Sequence, residues 1–277
     1  MTKELFLTRL QGRLSVFEDA ISTNEREWII KGFIDISKNI YTISIDTKIV
    51  SKVMELLLFP LLVEFARENE LDLELSPQQN YYPDLTFIDR RDSTLFAVDV
   101  KTTYRVDDEK VNGMTLGAFT GYFRNRASFK NIAFPYCHYT GHFVLGVIYS
   151  HAKTKIDERK VYALDDLERI PSVINNFSFF AQPKYKIASA RPGSGNTKNI
   201  GSIVIIEDIL NGRGPFSLLG EEIFDDYWMY YLTNDMASVL ETARPYTNLQ
   251  EYHAYKAKGL DVLERNKPNI IGQDLER

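Results

Sequence analysis

The 277-residue chain predicts an α/β protein with a central mixed β-sheet flanked by helices. Three observations lead there. Val50, Val53, Met54, Leu57, Leu58 and Leu61 recur at spacings of three and four and mark one amphipathic helix. The runs Leu95–Tyr104 and His142–Tyr149 are apolar enough to be buried strands. Helix-like and strand-like segments follow one another without a repeat, a low-complexity tract or an obvious linker. With 44% hydrophobic residues the chain can fill a sizeable core, and residues 1–277 are read as one domain.

Taken in order, residues 4–30 read as helical, and Ile40–Ile45 alternates as a strand does. Asp46 or Thr47 can cap the amphipathic helix, and Pro60 is expected to kink it or end a segment. Pro83–Ile88 and Leu95–Tyr104 read as extended segments joined through the polar turn Asp89-Arg90-Arg91-Asp92-Ser93. A helix is expected near Leu116–Phe129, a strand at His142–Tyr149 and another at Ile203–Ile206. Helices follow near 221–240 and 249–264, and residues 266–277 read as a tail. Trp228 and its neighbouring tyrosines read as core.

The single cysteine, Cys137, allows no intrachain disulfide and fits a reducing cytosol. The N-terminal stretch has no long apolar run of the kind that begins a secretory signal, so a cytoplasmic location is expected and the sequon at Asn176 carries no meaning. The apolar run Met54–Val63 is interrupted by Glu55 and Pro60 and is too short to cross a bilayer, so no membrane partner is expected. Cys137, His138 and His142 lack a fourth ligand nearby and do not read as a zinc site. A net charge of −5 argues mildly against nucleic acid as a partner. Its distribution argues the other way. Residues 113–133 hold Arg124, Arg126 and Lys130 without an acid, and residues 181–201 hold Lys184, Lys186, Arg191 and Lys198 without one. Such stretches can line a positive cleft, and chance clustering of surface lysines gives the same pattern.

The chemistry is concentrated between Asp84 and Lys101. In a strand, alternate residues share a face, so Phe96, Val98 and Val100 point one way while Ala97, Asp99 and Lys101 point the other. Asp99 and Lys101 then lie about 7 Å apart at their Cα atoms, and a hairpin return brings Asp84 beside Asp99. Two converging carboxylates form a hard oxygen site suited to Mg²⁺, which keeps waters and accepts phosphate oxygens. Such a metal activates water and stabilises phosphoryl charge, and Lys101 adds a fixed positive charge. An exposed edge strand with an Asp–Lys surface pair would show the same triplet.

Pro83-Asp84 followed by Asp99-Val100-Lys101 matches the motif of the PD-(D/E)xK nucleases. The stretches "SPQQNYYPDLT" (76–86), "VDVKTTY" (98–104), "TLGAFTGYFRN" (115–125) and "GSGNTKNIGSI" (193–203) are more specific. With "IDTKIVSKVMELLLFP" (45–60) and "DYWMYY" (226–231), they resemble, in the same order, type II restriction endonucleases of the EcoRV type. The resemblance implies a restriction-endonuclease-like fold with an N-terminal and central dimerisation part and a DNA-binding and catalytic part over about 40–235. It implies a homodimer that embraces double-stranded DNA and hydrolyses it with Mg²⁺. The implied site is GATATC, cut at its centre to blunt ends with 5′-phosphates, with a cognate DNA methyltransferase as functional partner. On it Asp84 and Asp99 are metal ligands, Lys101 is the catalytic lysine, and Glu55, which matches an acidic residue near the metal, is a further catalytic and metal-binding candidate.

The same resemblance makes Gly193, Ser194, Gly195, Asn196, Thr197, Lys198 and Asn199 the loop that enters the major groove. Its glycines allow close backbone approach, and Asn196 can bridge adenine at about 1–3 kcal/mol of discrimination. Gln78, Gln79 and Asn80 resemble a minor-groove loop, and Thr102, Thr103, Thr115, Thr120 and Asn125 are candidates for phosphate contacts. The chain departs from the family pattern at Lys198, at residues 190–192, at Ala118 and Gly121, and in a longer C-terminus, which bears on base specificity. A repair or recombination nuclease on the same fold, or a DNA-binding module with a structural Asp–Lys pair, are the other readings.

Overall fold

The computed structural model describes residues 1–78, 80–153, 157–193 and 198–258. Helices α1 (Lys3–Gln11) and α2 (Leu14–Ile21) replace the single helix expected over 4–30. Thr2 caps α1 by accepting from the Leu5 N–H at 3.2 Å. Beyond α2 the chain turns extended, with Ser22 bridged to Trp28. Strand β1 (Gly32–Ile34) pairs with β2 (Asn39–Thr42), which covers only the start of the expected 40–45 strand.

Helix α3 (Thr47–Glu68) is capped by Asp46, whose carboxylate accepts from the N–H groups of Lys48 and Ile49. Pro60 lies inside α3 and does not end it. It sits on the solvent face with Leu56, 63% exposed, where water can take up the carbonyl that a proline leaves without a donor.

Strands β3 (Leu71–Leu75), β4 (Leu85–Asp89) and β5 (Leu95–Tyr104) run antiparallel in sequence. The helix expected near 116–129 is instead β6 (Thr115–Ala118) followed by a 3₁₀ turn at Gly121–Phe123. Gly117 (φ 88°) and Gly121 (φ 57°) adopt left-handed backbone that a right-handed helix cannot contain. Then follow β7 (Tyr139–His151), β8 (Val161–Ala163), β9 (Ile174–Pro183), the single turn α4 (Lys184–Ile187), β10 (Ala188–Pro192) and β11 (Asn199–Ser202). The strand expected at 203–206 is therefore displaced upstream, because helix α5 (Ile206–Asn211) begins there.

The helix expected over 221–240 is broken into α6 (Glu221–Tyr230) and α7 (Asn234–Val239). Tyr231 between them is extended, and Thr233 caps the second. Helix α8 (Leu249–Ala257) completes the described chain, and the expected continuation to 264 and the tail at 266–277 lie outside the described residues. Among the described residues no helix is long and apolar enough to cross a membrane.

The main sheet has five strands in the order β3-β4-β5-β7-β9 and is mixed, with β5 and β7 parallel and the other pairs antiparallel. On one face, Phe96, Val98 and Val100 join Phe87, Leu145 and Val147 against residues of α1, α2 and α3. Phe6 of α1 stacks on Phe96 with ring centroids 4.4 Å apart. On the other face, Ala97, Val144, Ile148 and Phe180 pack toward Phe119, Tyr227 and Trp228, so the expected core role of Trp228 holds. β5 lies between β4 and β7 as far as Val98, and beyond it Asp99 and Lys101 stay paired to β7 while Asp99 is only 5% exposed, which does not fit an exposed surface pair. Two smaller sheets, β1-β2-β8 and β10-β11-β6, stand apart from it.

Candidate active site

The β4–β5 register sets Leu85 opposite Val98, which brings the residue before Leu85 to the level of Asp99 and Val100. The Asp84 N–H donates to Oδ1 of Asp99 at 3.3 Å, and the Val100 N–H donates to Oδ2 of Asp84 at 2.8 Å. Lys101 Nζ lies 2.8 Å from Oδ2 of Asp99 and 3.7 Å from Oδ2 of Asp84. The hairpin return expected from the polar turn thus gathers two carboxylates and one ammonium within direct contact. Asp99 is buried, and Asp84 and Lys101 are partly so.

Burial, and then the negative charge of Asp99, push the Asp84 carboxyl up to about 6, against the opposing pull of Lys101 and the Val100 N–H. Burial alone would lower Lys101, but Asp99 and Asp84 override it and hold the ammonium above the ordinary lysine range. Glu55 pairs with Lys52 at 2.7 Å, and its charge is felt by both Asp84 and Lys101. It stands near the cluster without joining it.

The donor set fits a small divalent cation. The two carboxylates are hard oxygen ligands whose mutual repulsion Lys101 offsets in part. Among the described residues no group of three His, Cys, Asp or Glu forms a closed cage. Two carboxylates at the edge of a cleft would leave the remaining positions of a divalent cation to water and phosphate oxygens.

The cluster opens into a cleft of 780 Å³. Asn80, Thr120, Asn125, Lys198 and Asn199 line it, as five of the expected DNA-contacting residues. Gln78 is exposed and its carbonyl accepts from the Tyr81 N–H at 3.1 Å. Thr102 is half-buried on the strand face opposite Lys101. Thr103 is buried with its hydroxyl already donated to the Asn112 carbonyl. Thr115 is exposed on β6, and Gly193 closes the base of its loop by donating to the Asn199 carbonyl at 2.9 Å. Gln79, Ser194, Gly195, Asn196 and Thr197 lie outside the described residues.

Sequence reasoning did not name several residues that shape the cleft. Arg124 and Lys130, noted in the first acid-free stretch but not as site residues, line it. Asp235 of α7 and its cap Thr233 form part of a wall that nothing local announces. Tyr82 sits behind Asp84, stacked on Tyr122 at 5.2 Å, with its hydroxyl 2.9 Å from Nδ1 of His142. Burial, with the nearby Lys184 charge second, keeps His142 well below the usual histidine range and therefore neutral. Its Nδ1 is thus committed to the contact with Tyr82.

Comparison with known proteins gives two matches. The family described as restriction endonuclease EcoRV matches residues 24–257. The type II restriction enzyme EcoRV of Escherichia coli is 32% identical over 243 residues, which is 87% of this chain and 96% of that protein. The family match spans the Asp84, Asp99 and Lys101 cluster and the cleft around it, while α1 and α2 precede it.

Proposed function

The chain belongs to the EcoRV family of restriction endonucleases and is a type II site-specific deoxyribonuclease, and from that premise we propose that Asp84, Asp99 and Lys101 are its catalytic centre. The observation that carries the reading is the position of Lys101 Nζ, 2.8 Å from Asp99 and 3.7 Å from Asp84. Asp84 and Asp99 hold Mg²⁺, with Glu55 assisting through its charge. When bound, Mg²⁺ supplies a Lewis acid at the phosphoryl oxygens and eases deprotonation of water. Lys101 orients the attacking water and places a fixed positive charge beside the phosphorus as negative charge develops there. Water attacks in line, the P–O3′ bond breaks, the 3′ oxygen takes a proton, and the products are a 5′-phosphate and a 3′-hydroxyl.

The whole chain acts as one endonuclease unit, with its DNA-binding and catalytic part over about 40–235, on double-stranded DNA in the cytoplasm. Lys101, Arg124, Lys130 and Lys198 in the cleft suit a polyanion despite the net charge of the chain. The loop from Gly193 to Asn199 reads the major groove, Gln78, Gln79 and Asn80 the minor groove, and Thr102, Thr115, Thr120 and Asn125 meet phosphates. Thr103 contributes through the Asn112 contact that steadies β5. The target is a GATATC-like palindrome cut at its centre to blunt ends, and a methyltransferase of the same specificity protects the host. Exposed Phe33, Ile34, Tyr41 and Val161 on β1-β2-β8 support a homodimer that buries this sheet.

Digestion of a plasmid of known sequence with Mg²⁺, followed by sequencing of the ends, tests this reading. Discrete bands with blunt 5′-phosphorylated ends at one palindrome are expected. A smear, or cutting governed by DNA structure, would instead indicate a repair-type nuclease. No cutting would leave a binding module.

A further inference from the structure

Lys184 stands in an unusual place for a lysine. It follows β9 directly, opens α4, and is only 2% exposed. Its Nζ is fully enclosed and makes no hydrogen bond with a described residue. The ammonium lies 4.7 Å from the centre of the Tyr82 ring, with the Phe123 and Tyr136 rings at 5.8 Å and 5.9 Å. Gly117 makes room for it. A Cβ on that glycine would lie 3.4 Å from Nζ and 3.2 Å from the Tyr122 hydroxyl.

An enclosed ammonium without a partner carboxylate lowers the stability of a fold, and aromatic faces return only part of its lost hydration. A methionine would fill the same volume without that penalty. The location suggests what the charge does. Tyr82 is two residues before Asp84, and its other anchors are the Tyr122 ring and the His142 nitrogen. Burial pulls the Lys184 ammonium down to about 8; the Asp99 carboxylate and then Asp225 act against that, and Lys101 and Arg126 add to it.

We propose that Lys184 is a positioning residue for DNA cleavage, acting through Tyr82 and Asp99. Its ammonium pins the ring that carries the Pro83-Asp84 turn and places a positive charge behind the carboxylate pair. This rests on the reading of Asp84, Asp99 and Lys101 as the catalytic centre. It adds to that reading a rear support from an element far along the chain, invisible in the motif.

The test begins with the unaltered protein and Mg²⁺ on cleavable DNA. Failure at that step overturns the catalytic reading itself. With cleavage established, Lys184→Met is compared at saturating Mg²⁺. The expected result is an unchanged or raised Tm, an unchanged KM for DNA, and a kcat lower by about ten-fold or more. A kcat within about two-fold of the unaltered protein overturns the proposal. So does a parallel fall in Tm and kcat, which would make the lysine a packing element. If Lys184→Met is not recovered folded, Lys184→Gln is judged by the same criteria.

Discussion

The backbone N–H of Asp84 donates to the carboxylate of Asp99 at 3.3 Å, so the two acids are joined through the protein before any cation arrives. Their separation is set by the β4–β5 ladder and not by free side-chain rotation. Asp84→Asn should therefore keep its place in the fold while losing its charge. Cleavage is expected to fall by at least about a thousand-fold with Tm unchanged or raised, since the substitution relieves repulsion from Asp99. Plasmid nicking and a thermal melt on the same preparation check both halves.

The Asp84 carboxyl is raised to about 6, chiefly by burial and secondly by Asp99, and this gives a pH dependence with a definite sign. In the unfolded chain an aspartate titrates near about 3.9. The folded form thus holds the proton more tightly, and the associated stability is complete below that value and lost as pH rises through about 6. Divalent cations need the ionised form, so their affinity should weaken by up to about ten-fold per pH unit below 6. Calorimetric titration with Ca²⁺ in two buffers of different ionisation enthalpy should show proton release that grows toward acidic pH. A flat affinity across this window would contradict the assignment.

Gly117 combines a φ of 88° with close approach to Tyr122 and Lys184. Gly117→Ala should cost about 1–3 kcal/mol and reduce kcat, because the strain falls on the support of Tyr82. Urea unfolding and steady-state cleavage read the two effects.

Gly146 on β7 is paired with Lys101 on one side and Phe180 on the other. An added Cβ would lie 1.9 Å from the Phe180 ring. Gly146→Ala is expected to destabilise by about 3 kcal/mol or more, with partial recovery in the double variant carrying Phe180→Leu. Denaturation of the two single variants and the pair measures that coupling.

The exposed β1-β2-β8 face gives a prediction about assembly. Phe33→Asp places a charge at a residue 52% exposed on that sheet. Light scattering should show a shift from two chains to one, and cleavage of both DNA strands should fall with it. An unchanged mass would mean that this sheet is not the dimer contact.

How much of this was legible in the sequence depended on how local the cause was. β5 and its return to Asp84 could be read, because strand alternation and a polar turn are properties of adjacent residues. The long helix α3 could be read from its apolar stripe, although Pro60 suggested an interruption that solvent exposure makes unnecessary. Leu116, Phe119 and Phe123 have helix-like spacing, and only the left-handed glycines between them show why that segment is not a helix. β3 carries the apolar–polar alternation of a strand and was readable from it, whereas β9 opens with two asparagines past Ile174, which obscured it. The second acid-free stretch suggested surface charge, yet it supplied a buried lysine, because enclosure by Tyr82, Tyr136 and Phe123 depends on contacts distant in sequence.

The strand that carries Asp99 and Lys101 lies inside the five-stranded sheet, whereas Asn199, on the wall of the same cleft, begins β11 of a separate three-stranded sheet. A one-residue slip of the first would turn Val98 and Val100 into the cleft, so descendants of this chain inherit the cutting geometry or lose the core.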